Sequence, residues 1–250
     1  MTKFNYYKLS KAKKIRYLKL YQKNRDYIVF LHGFMSDLEG KKPKTFLDFA
    51  KKNKLGFLAL EYSGHGKSDG IFTDGSILSW FEDALAVLDE LTNGKQILIG
   101  SSMGGWIALL LAKNRPNRIH SIIGVAAAPD FTEESMWKNF AEDQKKEVLN
   151  KGVLYLPSDY GEPYPITRYL IENGRQNLVL REPLELHCPV RLMQGTEDTA
   201  VTRETALNLF DHINADDLSL FFKRGADHSF SDQGCLEILE KSLEDILQGC

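Results

Sequence analysis

The sequence predicts an α/β fold: a mostly parallel sheet with helices on both faces. Short apolar runs that read as buried strands (27–31, 55–60, 96–99, 119–127, 190–194 and 218–222) alternate with stretches of helical periodicity. The runs are apolar at nearly every position rather than at every second one, the pattern of strands covered on both faces. Several end in loops rich in Gly, Ser, His and Asp, where an open α/β sheet gathers its ligands.

The chain of 250 residues is long enough for one such domain with a well-buried core, so residues 1–250 are expected to form a single unit. Its 32 basic and 34 acidic residues leave a net charge of -2, which advertises no nucleic-acid partner. Three cysteines, Cys188, Cys235 and Cys250, with no C-x-x-C spacing, argue against a disulfide framework or structural zinc and for a reducing compartment. No apolar stretch approaches the ~20 residues of a membrane helix, so stable membrane insertion is not expected. The basic N-terminus lacks the apolar core and cleavage site of a secretory signal, and a cytoplasmic location is the resulting expectation. Oligomeric state is not legible in these features.

Taken in order, residues 3–25 are basic and contain two short runs joined by Ser10-Lys11-Ala12-Lys13-Lys14, which predicts a hairpin. Its second run alternates apolar and basic residues, as a half-exposed edge strand does, and a solvated hairpin accounts for the charge better than a nucleic-acid site. The strand at 27–31 ends in His32-Gly33-Phe34, and a helix over 43–52 carries Pro43 in its first turn. The next strand opens into Glu61-Tyr62-Ser63-Gly64-His65-Gly66-Lys67-Ser68-Asp69-Gly70. That loop imitates phosphate-binding motifs without meeting them. Glu61 stands where a P-loop needs its first glycine, and Asp69 where a dinucleotide fingerprint needs its third.

A helix over 76–91 presents Ile77, Trp80, Phe81, Ala84, Leu85, Val87, Leu88 and Leu91 near helical spacing. Then comes Gly100-Ser101-Ser102-Met103-Gly104, a G-x-S-x-G pattern between an apolar strand and the helical run from Gly104. Such a strand-to-helix turn is sharp, and glycines flanking the serine supply the backbone room it needs. Ser102 is therefore the candidate nucleophile; the alternative is that Ser101 or Ser102 merely caps the helix.

After the strand at 119–127 the alternation breaks. Residues 130–188 hold helical stretches (about 133–151 and 167–173) around a Pro- and Tyr-rich middle at 156–165, and no strand is expected there. Such an insertion suggests a small helical cap over the sheet's carboxyl edge, the alternative being extra helices on the outside. Its Trp137, Phe140, Leu154, Tyr155, Tyr160, Tyr164 and Tyr169 suit either an apolar substrate pocket or the insertion's own core. The alternation resumes with the strand at 190–194, the loop Gly195-Thr196-Glu197-Asp198, a helix over 203–212, the strand at 218–222, the loop Gly225-Ala226-Asp227-His228 and a helix over 235–247.

Three strand ends thus offer a serine, an acid and a histidine. A hydroxyl attacks only once a base takes its proton, and His228 can do so and later protonate the leaving group. Asp198 would fix the imidazole tautomer and stabilise its cation. Asp130, Asp227 and Glu197 are rival acids. His32 reads as a loop brace; His65, His120, His187 and His212 read as surface or satisfied polar residues. Backbone N–H groups of Met103 and Phe34 are the candidate oxyanion donors, each of a kind whose removal costs about 3 to 4 kcal/mol in activation free energy. No cluster has metal-ligand spacing, and the chemistry needs no cofactor.

The His32-Gly33-Phe34 loop, SGHGKSDG, GSSMGGW, QGTEDTAV and GADHSF together resemble the α/β-hydrolase-fold serine hydrolases over nearly the whole chain. More narrowly, YSGHGKSDG, QILIGSSMGGW and KKEVLNKGVLYLPSDY resemble the animal mitochondrial branch of palmitoyl-protein thioesterases and acyl-glucuronide esterases, although no transit segment is recognisable. The resemblance implies hydrolysis of carboxylic esters or thioesters on small-molecule or acylated-protein substrates. It places Ser102, Asp198 and His228 at the family's triad positions, in the chain order that fold uses. A peptidase, a carbon–carbon bond hydrolase on the same triad and a non-catalytic binding protein are the competing readings.

Overall fold

The computed structural model describes residues 3–22, 27–157 and 163–249. In chain order the strands are β1 (Phe4–Lys8), β2 (Lys14–Leu20), β3 (Tyr27–Leu31), β4 (Gly56–Leu60), β5 (Gln96–Ser101), β6 (Ile119–Val125), β7 (Val153–Leu156), β8 (Tyr164–Thr167), β9 (Leu184–Glu185), β10 (Val190–Gly195), β11 (Ile213–Asn214) and β12 (Leu218–Lys223). The α-helices are α1 (Lys41–Lys52), α2 (Ile77–Leu91), α3 (Met103–Asn114), α4 (Glu142–Lys151), α5 (Arg168–Gln176), α6 (Arg203–His212) and α7 (Gln233–Gln248).

Eight strands form the main sheet in the order β1-β2-β4-β3-β5-β6-β10-β12. β1 and β2 run antiparallel to their neighbours, and the other pairings are parallel. Alternate side chains of each central strand enter different cores, as the two-residue period of a strand requires. Val29, Leu31, Leu58, Leu60 and Leu98 join residues of α2, α3 and α6 on one face. Ile28, Phe30, Phe57, Ala59, Ile97 and Ile99 join α1 and α7 on the other. Both faces are covered, which is why β3, β4 and β5 are buried at every position.

The N-terminal hairpin forms, with one correction. β2 is not the edge; β1 is, and β2 pairs with β4 on its other side. The alternation of β2 arises because Ile15 and Leu18 are buried while Arg16 is buried as an ion pair. Arg25 lies outside the described residues.

Residues 130–188 depart further from expectation. The helix predicted over 133–151 is broken into a π-helical turn (Thr132–Met136), a 3-10 turn (Trp137–Asn139) and α4. The break at Phe140 and Ala141, both extended, puts Phe140 into a small core with Val148, Leu154, Ile166 and Ile171. The segment also contains strands: β7 and β8 pair as an antiparallel hairpin. Leu154 and Ile166 point their branched chains into that core, and with only four residues per strand no period was visible in the sequence. Phe140 and Leu154 are therefore core, Trp137 and Tyr164 pack against it, and Tyr155 and Tyr169 are exposed. Tyr160 and Cys250 lie outside the described residues.

Candidate active site

β5 delivers Ser102 and α3 begins immediately after it. Ser102 holds φ 55° and ψ -120°, a conformation that costs a residue with a side chain of order 1–3 kcal/mol and persists only where surroundings enforce it. Here they do: the Ser102 N–H donates to the Val125 carbonyl at 2.9 Å, and its own carbonyl accepts from Gly105 at 2.8 Å and Ala128 at 3.1 Å. A Cβ on Gly100 would stand 2.3 Å from the Gly104 carbonyl oxygen, and one on Gly104 would stand 2.1 Å from that of Leu31. The glycines flanking the serine are thus close-approach residues. The Ser102 side chain makes no helix-capping bond, which counts against its reading as a cap.

The turn brings Ser102 Oγ to 3.2 Å from His228 Nε2, and the other ring nitrogen, Nδ1, lies 2.9 Å from Asp198 Oδ2. The Asp198 carboxylate is fully buried. Burial alone would raise its pKa, but the hydrogen bonds it accepts from His228, the Val201 N–H and Gln194 outweigh that and leave it below the ordinary carboxylate value. Oδ1 accepts from Ala200 and Val201 N–H groups at 2.9 and 2.8 Å. Gln194 Nε2 donates to Asp198 Oδ2 at 3.0 Å and to the Val201 carbonyl at 2.8 Å, fixing the acid's second oxygen. Sequence reasoning passed over Gln194, whose amide is buried near the end of β10.

The loop after β3 lies against the serine, since a Cβ on Gly33 would meet Ser102 Cβ at 3.2 Å. That contact brings the Phe34 backbone to the same corner as the first turn of α3, where Met103 carries an N–H with no carbonyl one turn earlier in the helix. The Phe34 ring packs edge-on against Phe72 and Phe131, with centroids 4.9 and 5.7 Å away, and lies 6.0 Å from Tyr164 of β8. Phe131 and Tyr164 therefore pack on the loop that holds this candidate donor.

The rival acids sit elsewhere. Asp130 is fully buried at φ 55°, and its two oxygens accept from the Val179 and Leu180 N–H groups at 2.8 and 3.0 Å. It fastens the start of the inserted segment to Val179 and Leu180, near its far end. Asp227 accepts from Ser229 Oγ and the Phe230 N–H. The Glu197 N–H donates to the Ala226 carbonyl, and His228 pairs with neither acid. His32 does brace its loop: Nδ1 donates to the Gly33 carbonyl at 2.8 Å, and burial lowers its pKa to about 4. His65 contradicts its reading as a surface or satisfied residue. It is buried against His32, Phe72 and Trp80, Nε2 has no protein partner, and burial first, then neighbouring His32, push its pKa well down. His187 is exposed, and His212 bonds the Asn208 carbonyl. His120 Nδ1 lies 3.3 Å from Ser121 Oγ.

The loop with the false phosphate motifs wraps an acid instead. Glu61 is buried, pairs with Arg16 at 2.9 Å and accepts from the Lys67 N–H at 2.7 Å. A Cβ on Gly66 would fall 2.3 Å from the Glu61 carboxyl carbon. Among the described residues, no group of three or more His, Cys, Asp or Glu side chains could hold a metal ion, and no helix is long and apolar enough to cross a membrane.

A family model for the alpha/beta hydrolase fold matches residues 26–164. The chain belongs to the α/β hydrolase family. Within that family it is 32% identical to the human mitochondrial palmitoyl-protein thioesterase ABHD10, over 88% of this chain and 72% of that protein. The rat counterpart is 31% identical over 98% of this chain and 83% of its own length. Among solved structures, a hydrolase described as putative from Agrobacterium vitis S4 superposes with a TM-score of 0.93 at 34% identity, covering 98% of both chains. Mouse alpha/beta hydrolase domain-containing protein 10 superposes with a TM-score of 0.90 at 28% identity, covering 99% of both. The names of the curated relatives overturn the cytoplasmic expectation, since those proteins are mitochondrial. Cysteine count and an unremarkable N-terminus carry no compartment address.

Proposed function

We propose that the chain is a serine acyl hydrolase that cleaves carboxylic esters or thioesters, with Ser102 as nucleophile, His228 as base and Asp198 as the acid that orients it. The observation that carries this reading is the unbroken chain of contacts from Asp198 through His228 to Ser102, at 2.9 and 3.2 Å, with the serine on a strained turn. In the first step Ser102 Oγ bonds to the acyl carbon. His228 takes the hydroxyl proton and passes it to the departing alkoxide or thiolate as its bond to that carbon breaks. Water, deprotonated by the same imidazole, then cleaves the acyl-enzyme and regenerates Ser102. The N–H groups of Met103 and Phe34 bind the oxyanion in both steps.

Residues 130–188 serve as a cap over this site, held by their contact with the Phe34 loop. The relatives' names, which describe palmitoyl-protein thioesterases, favour an acyl group on a protein thiol among the acylated substrates open to such a site.

Labelling with a fluorophosphonate, followed by competition with short and long acyl esters and thioesters, tests the assignment. Wild-type protein is expected to label, and Ser102→Ala and His228→Ala to lose labelling while keeping a cooperative thermal transition. A folded wild-type protein that neither labels nor hydrolyses acyl esters would sink it.

A further inference from the structure

Helix α1 opens with Lys41, Lys42 and Lys44 and has no acidic residue in its first turn. Cations there oppose the helix dipole, so helix stability does not explain them. Lys42 instead reaches across to the loop between β12 and α7, 187 residues away in sequence. Its ammonium donates to the Ser229 carbonyl and, at 3.2 Å, lies within bonding distance of Ser231 Oγ. Ser231 Oγ also donates to that carbonyl at 2.8 Å. Ser229 directly follows His228, and the next residue, Phe230, is held at φ 44°. The imidazole thus stands on a strained turn whose one carbonyl is fixed by a cation from another element.

We propose that Lys42 is a positioning residue for His228: its charged form locks the turn that aims Nε2 at Ser102. The proposal rests on the reading of His228 as the base. Losing the ammonium proton leaves an amine that bonds the carbonyl more weakly, and the turn is released from one side. Burial lowers the Lys42 pKa to about 8, and the charge of Asp227 and the thiol of Cys235 oppose that lowering. Cys235 stays a neutral thiol across the working range, its own pKa raised to about 12 by burial and by Asp232, with Lys223 acting in the opposite direction. Asp227 is therefore the acidic side chain that faces the ammonium, with Asp232 and Lys223 behind Cys235. The lock opens as pH rises through about 8.

The test measures kcat and KM for a p-nitrophenyl acyl ester from pH 6.5 to 10 in wild type, Lys42→Arg, Lys42→Met and His228→Ala, with folding of each checked by circular dichroism. Wild-type kcat is expected to decline above pH 8. Lys42→Arg, whose charge persists, should keep kcat and lose the decline. Lys42→Met should lower kcat at pH 7 roughly tenfold or more, with KM little changed and no decline, because a misaimed base slows chemistry rather than binding. Wild-type kcat and an unaltered profile in both Lys42 variants, with His228→Ala inactive, would overturn the role of Lys42 and leave the triad standing. Turnover retained in His228→Ala would remove both. If Lys42→Met does not fold, the same alkaline decline in Lys42→Arg as in wild type overturns the proposal.

Discussion

At Ser102 the requirement of the site and the preference of the backbone conflict. A glycine would occupy φ 55° and ψ -120° with less strain, so Ser102→Gly is expected to raise stability by about 1 kcal/mol, read as a higher Tm, while abolishing labelling. Gly104→Ala should do the opposite, costing about 3 kcal/mol by driving a methyl into the Leu31 carbonyl. On the proposed mechanism, Asp198→Asn should leave folding intact and reduce kcat by about 10³- to 10⁴-fold, because the amide can favour the wrong imidazole tautomer. Stopped-flow acylation with an activated ester would measure it. The serine, the acid and the histidine were legible because each ends a strand in a short polar loop. The sequence already favoured Asp198 over Asp130, and the contacts support that reading: one bonds an imidazole and the other two backbone N–H groups. The roles of Gln194 and Lys42 were not legible, since they lie in what the side chains touch.

The core strands and the helices that cover them were legible because both faces of the sheet demand apolar runs. Elements stabilised by buried charge were not. β2 reads as an edge strand because Arg16 interrupts its apolar residues, and the pairing of Arg16 with Glu61, 45 residues away, that makes its burial tolerable has no sequence period. Glu61→Ala is accordingly expected to cost about 1–3 kcal/mol, measurable by urea unfolding: Arg16 keeps Glu39 at 2.8 Å, but it loses its buried partner and the Leu38 and Lys67 N–H groups lose their acceptor. Within the insertion, short strands and broken helices pack around five buried residues, too few to impress a pattern on the chain. Its attachment is nonetheless specific. The Leu78 N–H donates to Asn173 Oδ1, Trp106 Nε1 donates to the Asn177 carbonyl, and Asp130 holds Val179 and Leu180. Asp130→Ala should leave two buried N–H groups unsatisfied, at about 1–3 kcal/mol each. Limited proteolysis should then cut first within 130–188.

Across the molecule, acid stability is set in part by His32 and His65, neutral imidazoles buried side by side with ring centroids 5.1 Å apart. Both have folded-state pKa values depressed by burial, to about 4 for His32 and well below 6.5 for His65. The unfolded chain takes up those protons below about pH 6.5 and the folded chain does not, so their stabilising contribution is complete above that value and falls away toward pH 4. Unfolding free energy should drop by about 2 kcal/mol between pH 7 and 5 from His32, with His65 adding in the same direction. Denaturant titrations should show this, with His65→Phe losing its share. The clasp at Asp130 has a different consequence. Asp130, five residues after β6 ends, is tied to Val179, 49 residues on and eleven before β10 begins, so the excursion is closed near both ends and the remaining architecture senses mainly where it is fastened. Closing a longer excursion costs only about 0.6 kcal/mol per doubling. The insertion is therefore an interchangeable module: transplanting that of a relative between the same two anchor positions should alter which acyl groups are accepted and leave the elbow, the acid and the histidine in place.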